Sequence, residues 1–277
     1  MTDLHLLDAV VSAHGALRQK KPLVQCLTNA VSSNFMANIL LAAGAAPAMV
    51  DNPEEAAAFV AVADAVLVNL GTPTAAQVEA MRLAVEAAQR IGRPWVLDPI
   101  GAGGLAWRGG VAAGLLSFKP AVIRGNASEI IGLAGLGGGN RGFDSSSDPA
   151  DSVPAARELL VHTSAVSASG PIDHVVGVDG QGSTQLIKVA GGSALLPRVT
   201  ATGCSLGALV AAYTAVAATP LLALVAAHVH FAVAAELAEE RAKGPGSFAV
   251  AFVDALDQVD AEVIRERARI TRSALSA

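Results

Sequence analysis

Thr200-Ala201-Thr202-Gly203-Cys204 directly precedes a long apolar run, Ser205 to Ala218, that reads as a helix. A helix start carries N–H groups with no partner inside the helix, together with the positive end of the helix dipole. Gly203 lets a ligand approach the backbone closely there. That combination suits an anion, and charge developing on a transferring phosphoryl group would be stabilised by it. Cys204 stands at the same helix start, where a thiol pKa tends to be lowered. It either takes a proton from a substrate hydroxyl or lines the pocket as a small buried residue.

Other chemistry-bearing residues follow short apolar runs. Asp98 ends one run and precedes Pro99, either as a turn residue or as a carboxylate at the rim of a site. Asn126-x-x-Glu129 has the spacing of a capping box, and Glu129 either caps or joins Asp98 in organising Mg²⁺. Arg124, at the end of Val122-Ile123, matches phosphate geometry as a guanidinium, or else makes a surface ion pair. The loop Gly101-Ala102-Gly103-Gly104 offers a weak anion cradle, and no G-x-x-x-x-G-K-[ST] pattern occurs. Gly203-Cys204-Ser205-Leu206-Gly207 fits the nucleophile-elbow pattern of hydrolases. The order of partners opposes that reading, because only His228 and His230 follow Ser205, with no Asp before them. Those two histidines lie one residue apart on a helix and do not share a face, so a metal pair is not expected.

The elements that must hold these residues alternate. Helical spacing runs from Leu4 to Leu17, and a short apolar run covers Leu23 to Leu27. A helix from about Ser33 to Ala43 stops at Gly44, and a second run spans Ala46 to Val50. Asn52-Pro53-Glu54-Glu55 starts another helix. Strands at Ala65 to Leu70, Trp95 to Asp98, Ala121 to Arg124 and Ala165 to Ala168 alternate with helices. His174 to Val178 and Thr184 to Val189 form a hairpin around Asp179-Gly180-Gln181-Gly182. Residues 136–152, rich in Gly, Ser and Asp, are predicted to be a mobile loop, with a helix near 153–162 after it. Helices fill most of the remainder. The alternation predicts one α/β domain over 1–277, with a mostly parallel sheet and helices on both faces. Its site would lie at the carboxyl ends of the strands.

Composition agrees. Of 277 residues, 52% are hydrophobic and 16% charged, far from a disordered composition. The net charge of -5, with no Lys/Arg cluster, argues against a nucleic-acid surface. Cys26 and Cys204 form no metal or disulfide pattern, and no basic-then-apolar leader is visible, so a cytoplasmic location is expected. Cys204 to Leu237 is the most apolar stretch, but Pro220 breaks it and His228, His230 and Glu236 lie within it. It is expected to be a buried helix pair, with no membrane partner.

Taken in order, Thr28-Asn29, Gly44 to Met49, Asn69-Leu70-Gly71-Thr72, Asp98 to Gly103, Ile123 to Glu129, Val199 to Cys204 and Gly244 to Phe248 resemble the hydroxyethylthiazole kinase family. The likeness covers nearly the whole chain. It implies a single-domain, three-layer ribokinase-like fold and ATP- and Mg²⁺-dependent phosphorylation of the hydroxyl of 4-methyl-5-(2-hydroxyethyl)thiazole in thiamine biosynthesis. The alternative is a ribokinase-like kinase of another small alcohol, of pyrimidine or pyridoxal type. By motif position the likeness implies that Met49, Asn29 and Ala201 meet the thiazole. Arg124, Ser169, Thr202 and Gly203 would bind ATP, Asp98 and Glu129 would organise the metal, and Cys204 would be catalytic. It further implies a homotrimer with sites between subunits, reached by Gly71 and Thr72. The chain departs from the family at Ala201, usually Gly, at Ser169, commonly Thr, and at Gly142-Phe143-Asp144-Ser145, where the family has Gly-Val-Asp-Ser.

Overall fold

The computed structural model describes residues 3–136 and 148–275. The chain runs α1 (Leu4–Lys20), β1 (Leu23–Leu27), α2 (Ser33–Ala43), β2 (Ala46–Ala48), α3 (Pro53–Phe59), β3 (Ala65–Asn69), α4 (Ala75–Ile91) and β4 (Trp95–Asp98). It continues with α5 (Ala106–Leu115), β5 (Val122–Asn126), α6 (Ala127–Leu133), α7 (Val153–Leu159), β6 (Ala165–Ser169), β7 (Ile172–Val178) and β8 (Thr184–Ala190). Then come α8 (Thr202–Thr214), α9 (Pro220–Glu239), α10 (Pro245–Gln258), α11 (Ala261–Arg267) and β9 (Arg269–Ala274).

The strands form one sheet in the order β2-β1-β3-β4-β5-β6-β7-β8-β9. The pairs from β2 to β6 are parallel, and β6 to β9 pair antiparallel. The chain leaves β1 first toward β2 and then toward β3, so the strand order reverses between β1 and β3. A crevice at the strands' carboxyl ends is expected there.

Side chains alternate across each strand, and that alternation sorts the core into two layers. Leu67, Val96, Val122 and Ala165 pack with α1, α2, α8, α9 and α10 on one face. Val66, Val68, Leu97, Ile123 and Val166 pack with α3, α4, α5, α6 and α7 on the other. Both α8 and α9 are apolar nearly all round because each is enclosed by the sheet and neighbouring helices. By length and composition alone α9 could cross a membrane, but 83% of its most apolar window is buried inside the fold.

Local signals set the helix starts. Asn52 caps α3 by accepting from Glu54 N–H, with Pro53 in the first turn. Thr74 and Gln77 form a complete capping box on α4. Thr219 caps α9 with Pro220 behind it, and that proline ends the apolar run of α8.

The structure differs from the sequence reading in places. α8 stops at Thr214 instead of Ala218, and α7 at Leu159. Residues Pro149–Ser152 form a short 3-10 turn inside the segment predicted to be loop. The rest of that loop, and the Gly142 to Ser145 departure, fall at 137–147, outside the described residues. The C-terminal segment expected to be helical ends in a strand. β9 pairs with β8 from Gln185 to Ala190, yet only Ile270 in it is buried. A single apolar anchor carries no period-2 signal, so backbone pairing defines this strand.

Candidate active site

The alternation that buries Leu67, Val96, Val122 and Ala165 beneath α8 and α9 also directs Asn69, Asp98, Arg124 and Ser169 to that face. Each stands an even number of residues further along its strand, at or near the carboxyl end. Asn69 pairs in register with Asp98, and Asn126 with Ser169. Parallel strands therefore bring four separate segments to one rim.

Asn69 is fully buried and joins that rim together. Its Nδ2 donates to Asp98 Oδ2 at 2.9 Å, and its Oδ1 accepts from Asn29 Nδ2 at 3.0 Å and Gly71 N–H at 3.1 Å. Asn29 Oδ1 in turn accepts from Ser32 N–H at 3.1 Å, which ties the start of α2 to the network. Thr72 is exposed and sits at φ 37, so the turn after β3 is held in the left-handed region by a residue other than glycine.

Arg124 spans the next gap. Its Nε and Nη2 donate to Ser169 Oγ at 3.1 and 2.7 Å, and Nη1 donates to Gly203 O at 2.9 Å. Nη1 also lies 3.5 Å from Asp98 Oδ2, so Arg124 forms a buried ion pair and not a surface one. Burial pushes the Asp98 carboxyl up to about 7; Arg124 opposes that shift and Glu129 adds to it. Asp98 Oδ1 is buried with no hydrogen-bond partner among the described residues.

Glu129 completes the capping box of α6. Its Oε2 accepts from Asn126 N–H at 2.8 Å, and Asn126 Oδ1 accepts from Glu129 N–H at 2.9 Å. Oε1 accepts from Gly101 N–H at 3.2 Å. Burial raises its carboxyl above the ordinary range, against the pull of these amides. The cradle reading of the 101–104 loop is corrected by this bond and by packing, since a Cβ on Gly103 would meet Ser128 O at 2.7 Å. Gly103 lets the loop lie against α6.

A metal has modest support from side chains. No cluster of three or more His, Cys, Asp or Glu occurs among the described residues. Mg²⁺ needs little, because it keeps several waters and takes one or two carboxylates plus substrate phosphates. The unpartnered Asp98 Oδ1 fits such an ion directly. Both Glu129 oxygens are already engaged by amides, so Glu129 fits only as a partner to its waters.

The N-terminus of α8 faces this rim. Ala201 caps it in the left-handed region at φ 71, and the first helical bond runs from Ser205 N–H to Ala201 O at 2.8 Å. Thr202 Oγ1 shares its one proton between Leu196 O at 2.9 Å and Val199 O at 3.1 Å, so its hydroxyl holds the turn. Gly207, one turn on, lets α8 approach β4: a Cβ there would stand 3.0 Å from Asp98 Oδ2.

Cys204 is half-buried beside Asp98. Its thiol is raised, first by burial and then by the Asp98 charge, while Ser32, Asn69 and Arg124 pull the other way. The lowering expected at a helix start is corrected here: burial and the Asp98 charge raise this thiol. Ser205 is fully buried with no hydrogen-bond partner among the described residues, which removes the nucleophile elbow.

Met49, just past β2, is half-buried against the α8-side core and lies outside the polar network. Two residues with no role in the sequence reading fix its surroundings. Gln25 Nε2 donates to Val50 O and Ala56 O, each at 3.0 Å. Gln77 Nε2 donates to Thr28 O and to Asp51 Oδ2. Asn69 ends β3, and its bridging role has no local signal, because its partners come from β4 and the loop after β1.

Residues 15–262 match the model of the hydroxyethylthiazole kinase family. A hydroxyethylthiazole kinase of Rhodococcus erythropolis is 63% identical over 98% of this chain and 96% of its own. One from Kineococcus radiotolerans is 55% identical over 93% of this chain and 92% of its own. The solved hydroxyethylthiazole kinase of Pyrococcus horikoshii superposes with a TM-score of 0.84 at 39% identity, covering 95% of this chain and 98% of that one. The pyridoxal kinase of Staphylococcus aureus, solved with AMP-PCP and pyridoxal, shares only the fold, at a TM-score of 0.62 and 13% identity over 92% of this chain and 99% of that one. The architecture is thus the ribokinase-like α/β fold, and the chain belongs to the hydroxyethylthiazole kinase family.

Proposed function

We propose that this protein transfers the γ-phosphoryl group of ATP to the hydroxyl of 4-methyl-5-(2-hydroxyethyl)thiazole, a cytoplasmic step of thiamine biosynthesis. The family assignment supports the substrate, and one observation supports the site. Asn69, Asp98, Arg124 and Ser169 converge from four strands on the N-terminus of α8.

In the reaction the substrate hydroxyl oxygen forms a bond to the γ-phosphorus, the bond from that phosphorus to the β-phosphate oxygen breaks and leaves ADP, and the hydroxyl proton passes to a transferred phosphoryl oxygen or to water. The transition state is loose, so catalysis rests on positioning and on stabilising charge. Arg124 and the amides of Thr202 and Gly203 supply donors for phosphate oxygens, and Ser169 holds the guanidinium in place. Asp98 would hold Mg²⁺, with Glu129 beside it, and the ion would supply charge neutralisation at the phosphates.

Cys204 orients the hydroxyl. Its raised thiol stays protonated at neutral pH, which opposes a general-base role. Met49, Asn29 and Ala201 surround the thiazole, and Ala201 adds a methyl to that wall. The protein folds as one domain over 1–277 and assembles as a homotrimer whose sites lie between subunits. Val31, just before α2, and Leu41, in its last turn, are both exposed and support an apolar contact with a neighbouring subunit.

A panel of alcohols tests the substrate. ATP-dependent turnover with hydroxyethylthiazole, hydroxymethylpyrimidine and pyridoxal should give the highest kcat/KM for the thiazole. A preference for either other alcohol would overturn the assignment.

A further inference from the structure

We propose that Asp173 and His228 are positioning residues that hold the nucleotide-facing end of β6 in place. The proposal rests on the reading of Arg124 and Ser169 as phosphate-side residues. His228 lies fully buried in the middle of α9, and its Nδ1 is 2.7 Å from Asp173 Oδ2. The other oxygen of the same carboxylate, Oδ1, accepts from Gly170 N–H at 3.0 Å. Gly170 directly follows Ser169, whose hydroxyl accepts from both Arg124 nitrogens.

A continuous path therefore runs from the buried core helix to the proposed phosphate clamp. Asp173 reaches His228 because it shares the α9 face of β7 with Val175, two residues on. Gly170 is also confined from the opposite side: a Cβ there would collide with Pro149. Pro149 in turn belongs to the 3-10 turn closed by the bond from Ser152 Oγ to Pro149 O at 2.6 Å. The turn after Ser169 is thus clamped between a carboxylate and a proline ring, and the carboxylate is anchored in the core. Displacing this turn by even a fraction of an ångström would misplace the Ser169 oxygen that orients Arg124, a kind of error to which positioned phosphate chemistry is sensitive.

The test is steady-state kinetics of full-length variants, with ATP and hydroxyethylthiazole varied separately. Asp173→Ala should raise the KM for ATP about tenfold while the thiazole KM stays within about twofold. Asp173→Asn keeps an acceptor for Gly170 N–H and should restore the ATP KM to within about threefold of wild type. Gly170→Ala, whose added Cβ meets Pro149, should mimic Asp173→Ala, and it decides the matter if Asp173→Ala does not fold. A loss of thermal stability and active fraction with an unchanged ATP KM in these variants would overturn the proposal. Ser169→Ala separates the two layers of inference. If it raises the ATP KM and the Asp173 and Gly170 variants do not, only the positioning role falls. If Ser169→Ala itself leaves that KM unchanged, the phosphate-side reading of Ser169 falls.

Discussion

Arg124 holds the hydroxyl of Ser169 with two of its nitrogens and the carbonyl of Gly203 with the third. One guanidinium thereby joins the ends of β5 and β6 to the first turn of α8, beside the buried carboxylate of Asp98. Five fixed N–H donors in a plane permit this; an ammonium on a flexible stem does not.

Arg124→Lys should therefore be far from conservative. It keeps the charge beside Asp98 but cannot reach Ser169 and Gly203 together, and kcat/KM for ATP should fall by roughly a hundredfold. Arg124→Ala should cost more, because it also leaves Asp98 buried without its cation. Initial rates at varied ATP check this, and a loss under about threefold in Arg124→Lys would contradict the clamp geometry.

Cys204→Ser tests the thiol. A general base contributes about a hundredfold or more, whereas a group that only orients the hydroxyl contributes less. With the thiol raised by burial, Cys204→Ser should keep kcat within about tenfold of wild type. A larger loss, with substrate KM unchanged, would restore proton transfer to Cys204.

Ala201 occupies a left-handed conformation that costs a residue other than glycine about 1–2 kcal/mol. Ala201→Gly relieves this, offset in part by the freer unfolded chain. The expected net gain is up to about 1 kcal/mol, or roughly 2–4 °C in Tm for a domain of this size. Thermal unfolding of the two proteins measures it, and a clear fall in Tm would contradict the strain.

Two buried histidines set the acid limb of stability. Burial holds His14 down to about 4 and His230 down to about 3, from an ordinary value of 6.5. Neutral His230 donates from Nε2 to Leu256 O and accepts the Tyr213 hydroxyl at Nδ1, an arrangement that protonation breaks. Folded values below the unfolded one mean that the unfolded chain binds more protons as pH falls. The stability they contribute is complete above about pH 6.5 and is lost progressively toward about pH 4 for His14 and about pH 3 for His230. Denaturant titrations at pH 7 and 5 should differ by on the order of 2 kcal/mol for each histidine. Equal stability at the two values would show that neither ring is held neutral by the fold.

The parallel strands and their helices were legible because each carries its own local evidence. Short apolar runs, caps at Asn52, Thr74 and Asn126, and glycines at Gly44 and Gly92 mark their limits. Residues at strand ends were legible as a group, since strand polarity alone places them on one rim. Tertiary facts were not legible. The thiol of Cys204 depends on how deeply α8 packs on β4 through Gly207, and β9 depends on a partner about eighty residues away. The Asp173–His228 pair joins residues 55 apart in sequence, and His228 looked like an ordinary core histidine.

Phosphoryl transfer to one alcohol at the α8 N-terminus fixes the stoichiometry of the two products. Purified protein with ATP, Mg²⁺ and hydroxyethylthiazole should yield ADP and thiazole phosphate in equal amounts by mass spectrometry, and neither without the thiazole. ADP formed without a phosphorylated thiazole, or no turnover by folded protein that binds both ligands, would contradict it.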